Sequence, residues 1–149
     1  MRKFGLLLAS HGDFAKNALE TLEMLMGSQS NVEIVGLFPG MGIKELQSAM
    51  KQKLDTLAHC GTILIVTDLV GGTPANVAAE LVASNPNLYL IGGFNMALLC
   101  ELAVSEELSE ATMAECLGAG ILGMQDLSAK LRTLLEKPTS TSSLENNNL

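Results

Sequence analysis

With 149 residues, 48% of them hydrophobic, and a formal net charge of −7, the chain is long enough for one domain with its own core. This composition excludes a disordered chain, and the lack of any basic cluster argues against nucleic acid or an anionic membrane surface as a partner. No apolar run approaches the ~18 residues of a membrane span, so we expect a cytoplasmic protein without membrane insertion.

Four apolar runs predict strands, at residues 4–9, 31–38, 62–68 and 87–93. Apolar residues at helical spacing fill the three intervals between these runs, so strands and helices alternate along the chain. This alternation predicts parallel strands with right-handed crossovers, which is an open, doubly wound α/β sheet. We assume the strand order 2-1-3-4, which makes strands one and three neighbours.

Residues with strong helix-end preferences mark the predicted helix boundaries. Asp13 is expected to cap the first helix and Gly27 to end it. Gly71-Gly72 break the third strand, and Thr73 is then expected to be the N-cap of the third helix. Pro74 suits the first helical position, where no amide donor is needed.

The C-terminal third of the chain predicts shorter elements. Residues 105–107 are expected to start a helix, and residues 118–123, "GAGILG", to hold a short fifth strand. Residues 126–137 predict a last helix with three leucines facing inward: Leu127, Leu131 and Leu134. We expect a single domain over residues 1–137, followed by a polar tail at residues 138–149.

A histidine and an aspartate lie at the ends of two predicted strands. His11 directly follows the first strand, and Asp68 ends the third. Ligands bind such sheets beyond the carboxyl ends of the strands at the topological switch point, so we expect both residues in one crevice. If Asp68 accepts a hydrogen bond from one ring nitrogen, the other nitrogen is free to act as a nucleophile or base. Each residue alone also fits a packing or turn role.

The segment "GGTPAN" predicts an anion site beside these two residues. Gly71 and Gly72 allow close approach of the backbone to a ligand, and the helix start at Pro74 presents free amide donors. Thr73 adds a hydroxyl and Asn76 an amide. Such donors suit the equatorial oxygens of a phosphoryl group, although this segment also fits a plain loop and helix cap.

Three stretches together resemble the enzyme IIA domain of the mannose family of the bacterial phosphoenolpyruvate:sugar phosphotransferase system. They are "LLLASHGDFAKNALETLEMLMG", "VTDLVGGTPANVAAEL" and "IGGFNMALLCEL". The S/T-H-G motif, the D-x-x-G-G-[ST]-P-x-N block and the later G-x-N motif occur in the order and at the spacing of this family. The likeness spans about residues 3–135.

The resemblance implies that His11 accepts a phosphoryl group from the phosphohistidine of HPr and passes it to a histidine of enzyme IIB. Asp68 would orient His11, and the phosphate would lie against Gly71, Gly72, Thr73 and the helix start. The family fold implies strand order 2-1-3-4 with an antiparallel strand exchanged in a homodimer, which we expect at residues 118–123. It implies association with membrane components IIC and IID, and neither a metal nor an organic cofactor.

Three positions depart from the family pattern. Ala97 stands where many members carry proline, Met41 where an acidic residue is common, and residues 69–70 where aromatics are frequent. These positions flank the predicted site and bear on the partner surface.

Three other functions fit parts of the sequence. The first is a phosphotransfer subunit of a dihydroxyacetone kinase, and the second is a non-enzymatic anion-binding regulatory module. The third is a hydrolase that uses Ser10 or His11, which is disfavoured because Ser10 lacks a G-x-S-x-G elbow.

Overall fold

The computed structural model describes residues 2–136, and a sheet of parallel strands forms its centre. The strands are β1 (Gly5–His11), β2 (Val32–Leu37), β3 (Ile63–Thr67) and β4 (Leu88–Gly92). Their order across the sheet is β2-β1-β3-β4, which confirms the assumed order. The doubly wound α/β class is likewise confirmed.

Helices connect the strands and cover both faces of the sheet. They are α1 (Phe14–Met26), α2 (Ile43–Leu57), α3 (Thr73–Ala83), α4 (Met96–Val104), α5 (Glu110–Leu122) and α6 (Leu127–Glu136). α1 and α4 contribute buried residues to the core on one face, whereas α2 and α3 contribute to the core on the other. The crossovers therefore change face between β1 and β3, and this gap is the topological switch point.

The continuous apolar runs of β1 and β3 follow from burial on both faces of the sheet. Leu6 and Leu8 belong to the core against α1 and α4, while the alternate residues Leu7 and Ala9 belong to the core against α2 and α3. All four are fully buried. The two central strands are thus held from both faces, and their carboxyl ends provide a fixed base for the site.

The expected fifth strand is wrong, because residues 118–122 form the end of α5. Gly120 is buried there, and a Cβ atom on it would lie 3.2 Å from Leu98 Cβ. A Cβ atom on Gly123 would lie 2.5 Å from Ala97 Cβ. These glycines let α5 pack closely on α4, and within residues 2–136 the sheet contains no antiparallel strand.

Two expected helix starts are shifted. α5 begins at Glu110, since Ser109 rather than residues 105–107 caps it by accepting a hydrogen bond from Thr112 N. α3 begins at Thr73 with Gly72 as the N-cap, which makes Pro74 the second helical residue.

The last helix forms as expected, but its leucines do not face inward. Leu127, Leu131 and Leu134 of α6 are all exposed in the single chain. The predicted tail at residues 138–149 lies outside the described residues. Among the helices of residues 2–136, none has the length and apolar character needed to cross a membrane.

Candidate active site

His11 and Asp68 meet at the switch point between β1 and β3. His11 is the last residue of β1, and Asp68 directly follows β3, where its backbone N donates to Ala9 O at 3.2 Å. Asp68 Oδ2 accepts a hydrogen bond from the backbone N of His11 at 2.9 Å and lies 2.9 Å from Nδ1 of the same residue. The Asp68 side chain is 10% exposed and the His11 side chain 45% exposed.

This contact fixes the tautomer of His11. An ionised carboxylate only accepts hydrogen bonds, so the proton of the neutral imidazole lies on Nδ1. Nε2 then keeps its lone pair. The arrangement gives a half-exposed ring with one nitrogen available to react and a buried carboxylate to stabilise positive charge on the ring.

Gly72 lies directly against the imidazole. A Cβ atom on Gly72 would be 2.9 Å from His11 Cε1, so only a glycine fits there without moving the ring. Gly72 N donates to Leu69 O at 3.2 Å, which closes the turn after β3, and Gly71 takes a positive φ of 76° within it. Because Gly72 is the N-cap of α3, the positive end of that helix lies next to His11.

The remaining residues of the predicted anion site differ in placement. Thr73 is the first residue of α3, where backbone amides lack partners within the helix. The side chain of Asn76 instead donates from Nδ2 to Gly71 O at 3.3 Å. Asn76 therefore holds the glycine turn in place through its amide.

Ser10 is a structural residue that the sequence interpretation missed. It is fully buried, and its Oγ accepts a hydrogen bond from Ala15 N at 2.7 Å. Ser10 thereby caps α1, whereas Asp13 occupies the N-cap position without a side-chain cap bond. The nucleophilic role considered for Ser10 is not supported, because its hydroxyl is buried in this cap. A serine shortly before a helix is itself a capping signal.

Gly36 in β2 is a second residue that was missed. Gly12 N donates to Leu37 O at 2.7 Å, which pulls the turn after His11 close to β2. A Cβ atom on Gly36 would lie 2.5 Å from Gly12 O. A glycine within a strand pattern is a signal for such close approach.

The asparagine of the G-x-N motif joins two helices. Asn95 caps α4 by accepting a hydrogen bond from Leu98 N at 3.0 Å, and its Nδ2 donates to Gly120 O at 2.7 Å. This part of the motif thus fixes α5 against α4.

The second histidine, His59, lies at the amino ends of the strands, opposite the candidate site. His59 Nδ1 is 3.0 Å from Thr56 O, and Nε2 is 3.2 Å from Asn31 Oδ1. These contacts give His59 a structural role, since they join the end of α2 to the residue before β2. Within residues 2–136, no group of three or more His, Cys, Asp or Glu side chains is arranged to hold a metal ion.

Comparison with known proteins agrees with this geometry. A family model described as "PTS system fructose IIA component" (EIIA-man) matches residues 5–119. The fructose-specific EIIA component of Bacillus subtilis (strain 168) is 33% identical over 104 residues, which cover 69% of this chain and 71% of that protein. The mannose-specific EIIAB component of Escherichia coli (strain K12) is 29% identical over 102 residues, 68% of this chain and 32% of that protein.

Solved structures show the same fold. The PTS IIA protein associated with the fucose utilization operon of Streptococcus pneumoniae has a TM-score of 0.78 at 33% identity, covering 88% of this chain and 99% of that one. The mannose/sorbose-specific IIA subunit of Enterococcus faecalis has a TM-score of 0.74 at 29% identity, covering 85% and 95%. The chain therefore belongs to the mannose family of enzyme IIA components, the phosphotransferases of the sugar phosphotransferase system.

Proposed function

We propose that His11 carries a phosphoryl group between two partner proteins, from the phosphohistidine of HPr to a histidine of enzyme IIB. The observation that carries this proposal is the contact of His11 Nδ1 with Asp68 Oδ2 beside the N-terminus of α3. It gives one residue a nucleophilic nitrogen and a charge-stabilising partner together. An acceptor of the IIB type is supported by the relative from Escherichia coli, which is named an EIIAB component.

In the first transfer, His11 Nε2 attacks the phosphorus atom of the donor phosphohistidine. A bond forms between Nε2 and phosphorus as the bond between phosphorus and the donor nitrogen breaks, and its electron pair returns to the donor ring. The proton on His11 Nδ1 stays in place, so the ring gains positive charge that Asp68 stabilises. In the second transfer, the IIB histidine attacks the phosphorus atom on His11. The bond between phosphorus and His11 Nε2 breaks, and its electron pair returns to the His11 ring.

The turn before α3 is proposed as the phosphate site. Gly72 contacts the ring, and the amides of the first turn of α3 point toward the anion that develops there. Gly71 and Thr73 complete this site, with Asn76 as the residue that holds the glycine turn. No metal and no organic cofactor take part in the step as written.

We further propose a homodimer, formed through the apolar surface of α5 and α6. The exposed apolar side chains there are Leu117, Ile121, Met124, Leu127, Leu131 and Leu134. Exposed apolar side chains concentrated on two successive helices are typical of an interaction surface. A helix of 10 residues such as α6 is also marginal in water without a packing surface. Covering this face in a second copy would stabilise both helices.

A cytoplasmic location is proposed as well. Cys60, Cys100 and Cys116 are free thiols, which are typical of a reducing compartment. Association with the membrane components IIC and IID would then follow through enzyme IIB.

The proposal is tested by incubating the protein with phosphoenolpyruvate, enzyme I and HPr, followed by mass spectrometry of the intact chain. We expect one added phosphoryl group that is labile in acid and stable in alkali. His11→Ala should abolish the label. Asp68→Asn should keep the fold, measured by circular dichroism, but slow transfer about a hundredfold, because the amide lacks the charge that stabilises the ring.

Equal labelling of wild type and His11→Ala would contradict the proposal, as would the absence of a label in both. His59→Ala is the matched control, since it removes the second histidine and should leave labelling unchanged.

A further inference from the structure

A cavity of about 420 Å³ lies at the amino ends of the strands, at the end of the sheet opposite His11. It is bordered by the residues before β1, by the connection from α1 to β2, and by the last turn of α4. Small-molecule sites typically have volumes of roughly 300–1,000 Å³, so the cavity has room for a small ligand. The residues that line it are Arg2, Met26, Ser28, Gln29, Ser30 and Ala103.

Arg2 brings a buried positive charge to this cavity. Only 6% of the residue is exposed, and no carboxylate of residues 2–136 forms an ion pair with its guanidinium. Burial lowers the pKa of Arg2 from its ordinary value. The ring of Phe4 lies 5.4 Å from Cζ, which gives a weak attraction but no counter-charge. Because a buried charge is costly unless it is paired, this guanidinium favours a nearby anion.

The hydrogen bonds of Arg2 leave several of its donors unused. Nη2 donates to Gln29 Oε1 at 2.9 Å and to Leu102 O at 3.2 Å, and both acceptors are neutral. Nε and Nη1 are buried and have no hydrogen-bond partner within residues 2–136. Buried polar groups are almost always hydrogen-bonded, so these orphaned donors indicate an acceptor that the described chain does not supply.

The other polar side chains at the cavity suit the same kind of ligand. The hydroxyls of Ser28 and Ser30 are exposed and make no hydrogen bond within residues 2–136. The described lining residues include no carboxylate. Glu23, the acid that contacts this connection, accepts from Gln29 N at 3.1 Å and does not contact Arg2. The cavity thus offers a guanidinium and two hydroxyls, which are donors for an oxyanion.

The composition of the lining favours a phosphate ester among the oxyanions. Its donors come from two separate segments, and a tetrahedral phosphate accepts from more directions than a planar carboxylate. A phosphate group fills only part of the cavity, and Met26 and Ala103 offer apolar surface for an organic part. The chain has a formal net charge of −7, so its overall field repels anions and binding has to depend on Arg2.

We propose that this cavity binds a small phosphate ester, with Arg2 as the residue that pairs with the phosphate. A phosphate oxygen replaces Gln29 Oε1 at Arg2 Nη2, which exchanges a neutral acceptor for a charged and stronger one. Ser28 and Ser30 donate to the other oxygens. The site is separate from His11 and does not rest on the proposed function.

The test measures binding of glycerol 3-phosphate to the full chain by isothermal titration calorimetry, at low ionic strength and without phosphate buffer. We expect saturable binding at one site. Arg2→Met should weaken it at least tenfold, and Ser28→Ala/Ser30→Ala at least threefold. Gln29→Ala should tighten it, because the phosphate no longer displaces an acceptor. Glycerol and acetate should bind at least tenfold more weakly than glycerol 3-phosphate.

Two controls locate the ligand. Lys3→Met removes a neighbouring cation whose side chain is 64% exposed, and it should leave the affinity unchanged. Backbone amide chemical shifts should change at residues 28–30 rather than at residues 71–73, where a phosphate at the start of α3 would act. Circular dichroism checks the fold of each variant. Since both serines are exposed, their double variant decides the question if Arg2→Met does not fold.

Wild-type affinity in Arg2→Met, or in the serine variant, would overturn the site. So would a wild-type protein that does not bind glycerol 3-phosphate, shift changes confined to residues 71–73, or an equal loss of affinity in Lys3→Met and Arg2→Met. Weaker binding in Gln29→Ala would overturn the displacement of its side chain, and equal affinity for acetate would overturn the phosphate ester as the ligand. None of these results bears on the labelling of His11, so the proposed function stands or fails separately.

Discussion

At the scale of single residues, the imidazole of His11 is held between a carboxylate and a glycine. Asp68 Oδ2 holds the ring by its contact with His11 Nδ1, and the backbone of Gly72 limits the space at Cε1. The ring is therefore positioned from two sides before any partner arrives. Such prior positioning reduces the reorganisation needed in the transition state.

Gly72→Ala should disturb this arrangement selectively. The new Cβ atom would lie 2.9 Å from His11 Cε1, so the ring must move away from Asp68 or the turn must open. We expect phosphoryl transfer to His11 to slow by roughly tenfold to a hundredfold, measured by rapid-quench labelling. The melting temperature should change little.

Gly118→Ala is the control for this variant. A Cβ atom on Gly118 would meet nothing within 4 Å, and the residue lies in α5. It should label at the wild-type rate and gain about 0.5–1 kcal/mol of stability from helix propensity. A Gly72→Ala protein that transfers at the wild-type rate would show that the close contact with the ring is not required.

At the scale of elements, the start of α1 depends on a residue of β1. Ser10 Oγ accepts from Ala15 N, and both residues are buried. This bond ties the first turn of α1 to the strand that ends in His11. The hydrogen bond from Ala15 N to Ser10 Oγ thus fixes the start of α1 relative to His11.

Ser10→Ala should lower the free energy of unfolding by about 1–2 kcal/mol, because it removes a cap and leaves a buried amide without a partner. The value is measured by urea denaturation. Asp13→Ala is the control, since Asp13 makes no side-chain cap bond and is exposed. It should cost less than Ser10→Ala, and the reverse order would contradict the assignment of the cap.

The errors in the predicted elements have identifiable physical causes. Asp13 and Ser10 are both good capping residues, and sequence alone does not show which side chain reaches the amide. The family resemblance led us to expect a strand at "GAGILG", and glycines are poor helix formers, but Gly120 is needed for close packing on Leu98. Packing between α4 and α5 therefore determines that this segment is helical.

At the scale of the whole molecule, no part of residues 2–136 covers the apolar face of α6. Leu127, Leu131 and Leu134 recur on one side of the helix, and all are exposed. Their periodicity predicted an apolar face, but it does not state whether the same chain or a second copy covers that face. The inward orientation expected from the sequence therefore failed, while the helix itself formed.

Leu131→Asp should disrupt the proposed homodimer. A charge in the centre of the face would be buried on association, and we expect the dimer Kd to rise about tenfold or more. Analytical ultracentrifugation of wild type and variant measures this. Ala129→Asp, on the opposite side of α6, should leave the dimer intact. A monomeric wild-type protein would contradict the homodimer.

The main architecture followed from the order of elements. Alternating strands and helices predict a parallel sheet, and the carboxyl ends of parallel strands meet at one edge. This rule placed His11 and Asp68 together, and their contact at 2.9 Å agrees with it. The glycine at position 36 signals a close approach of the backbone, but the sequence does not show that Gly12 makes this approach, because that depends on the exact height of one turn above a neighbouring strand.

The position of His11 inside a strand has a further consequence. His11 is paired in register with Leu37 of β2, so it shares the stability of the sheet rather than that of the surrounding turns. Reactive residues in mobile segments must lose conformational entropy before they meet a partner. In the proposed carrier role, a histidine at the end of a central strand avoids this loss twice in each cycle, once on receiving the phosphoryl group and once on delivering it. Its encounters with donor and acceptor then begin from the same backbone conformation.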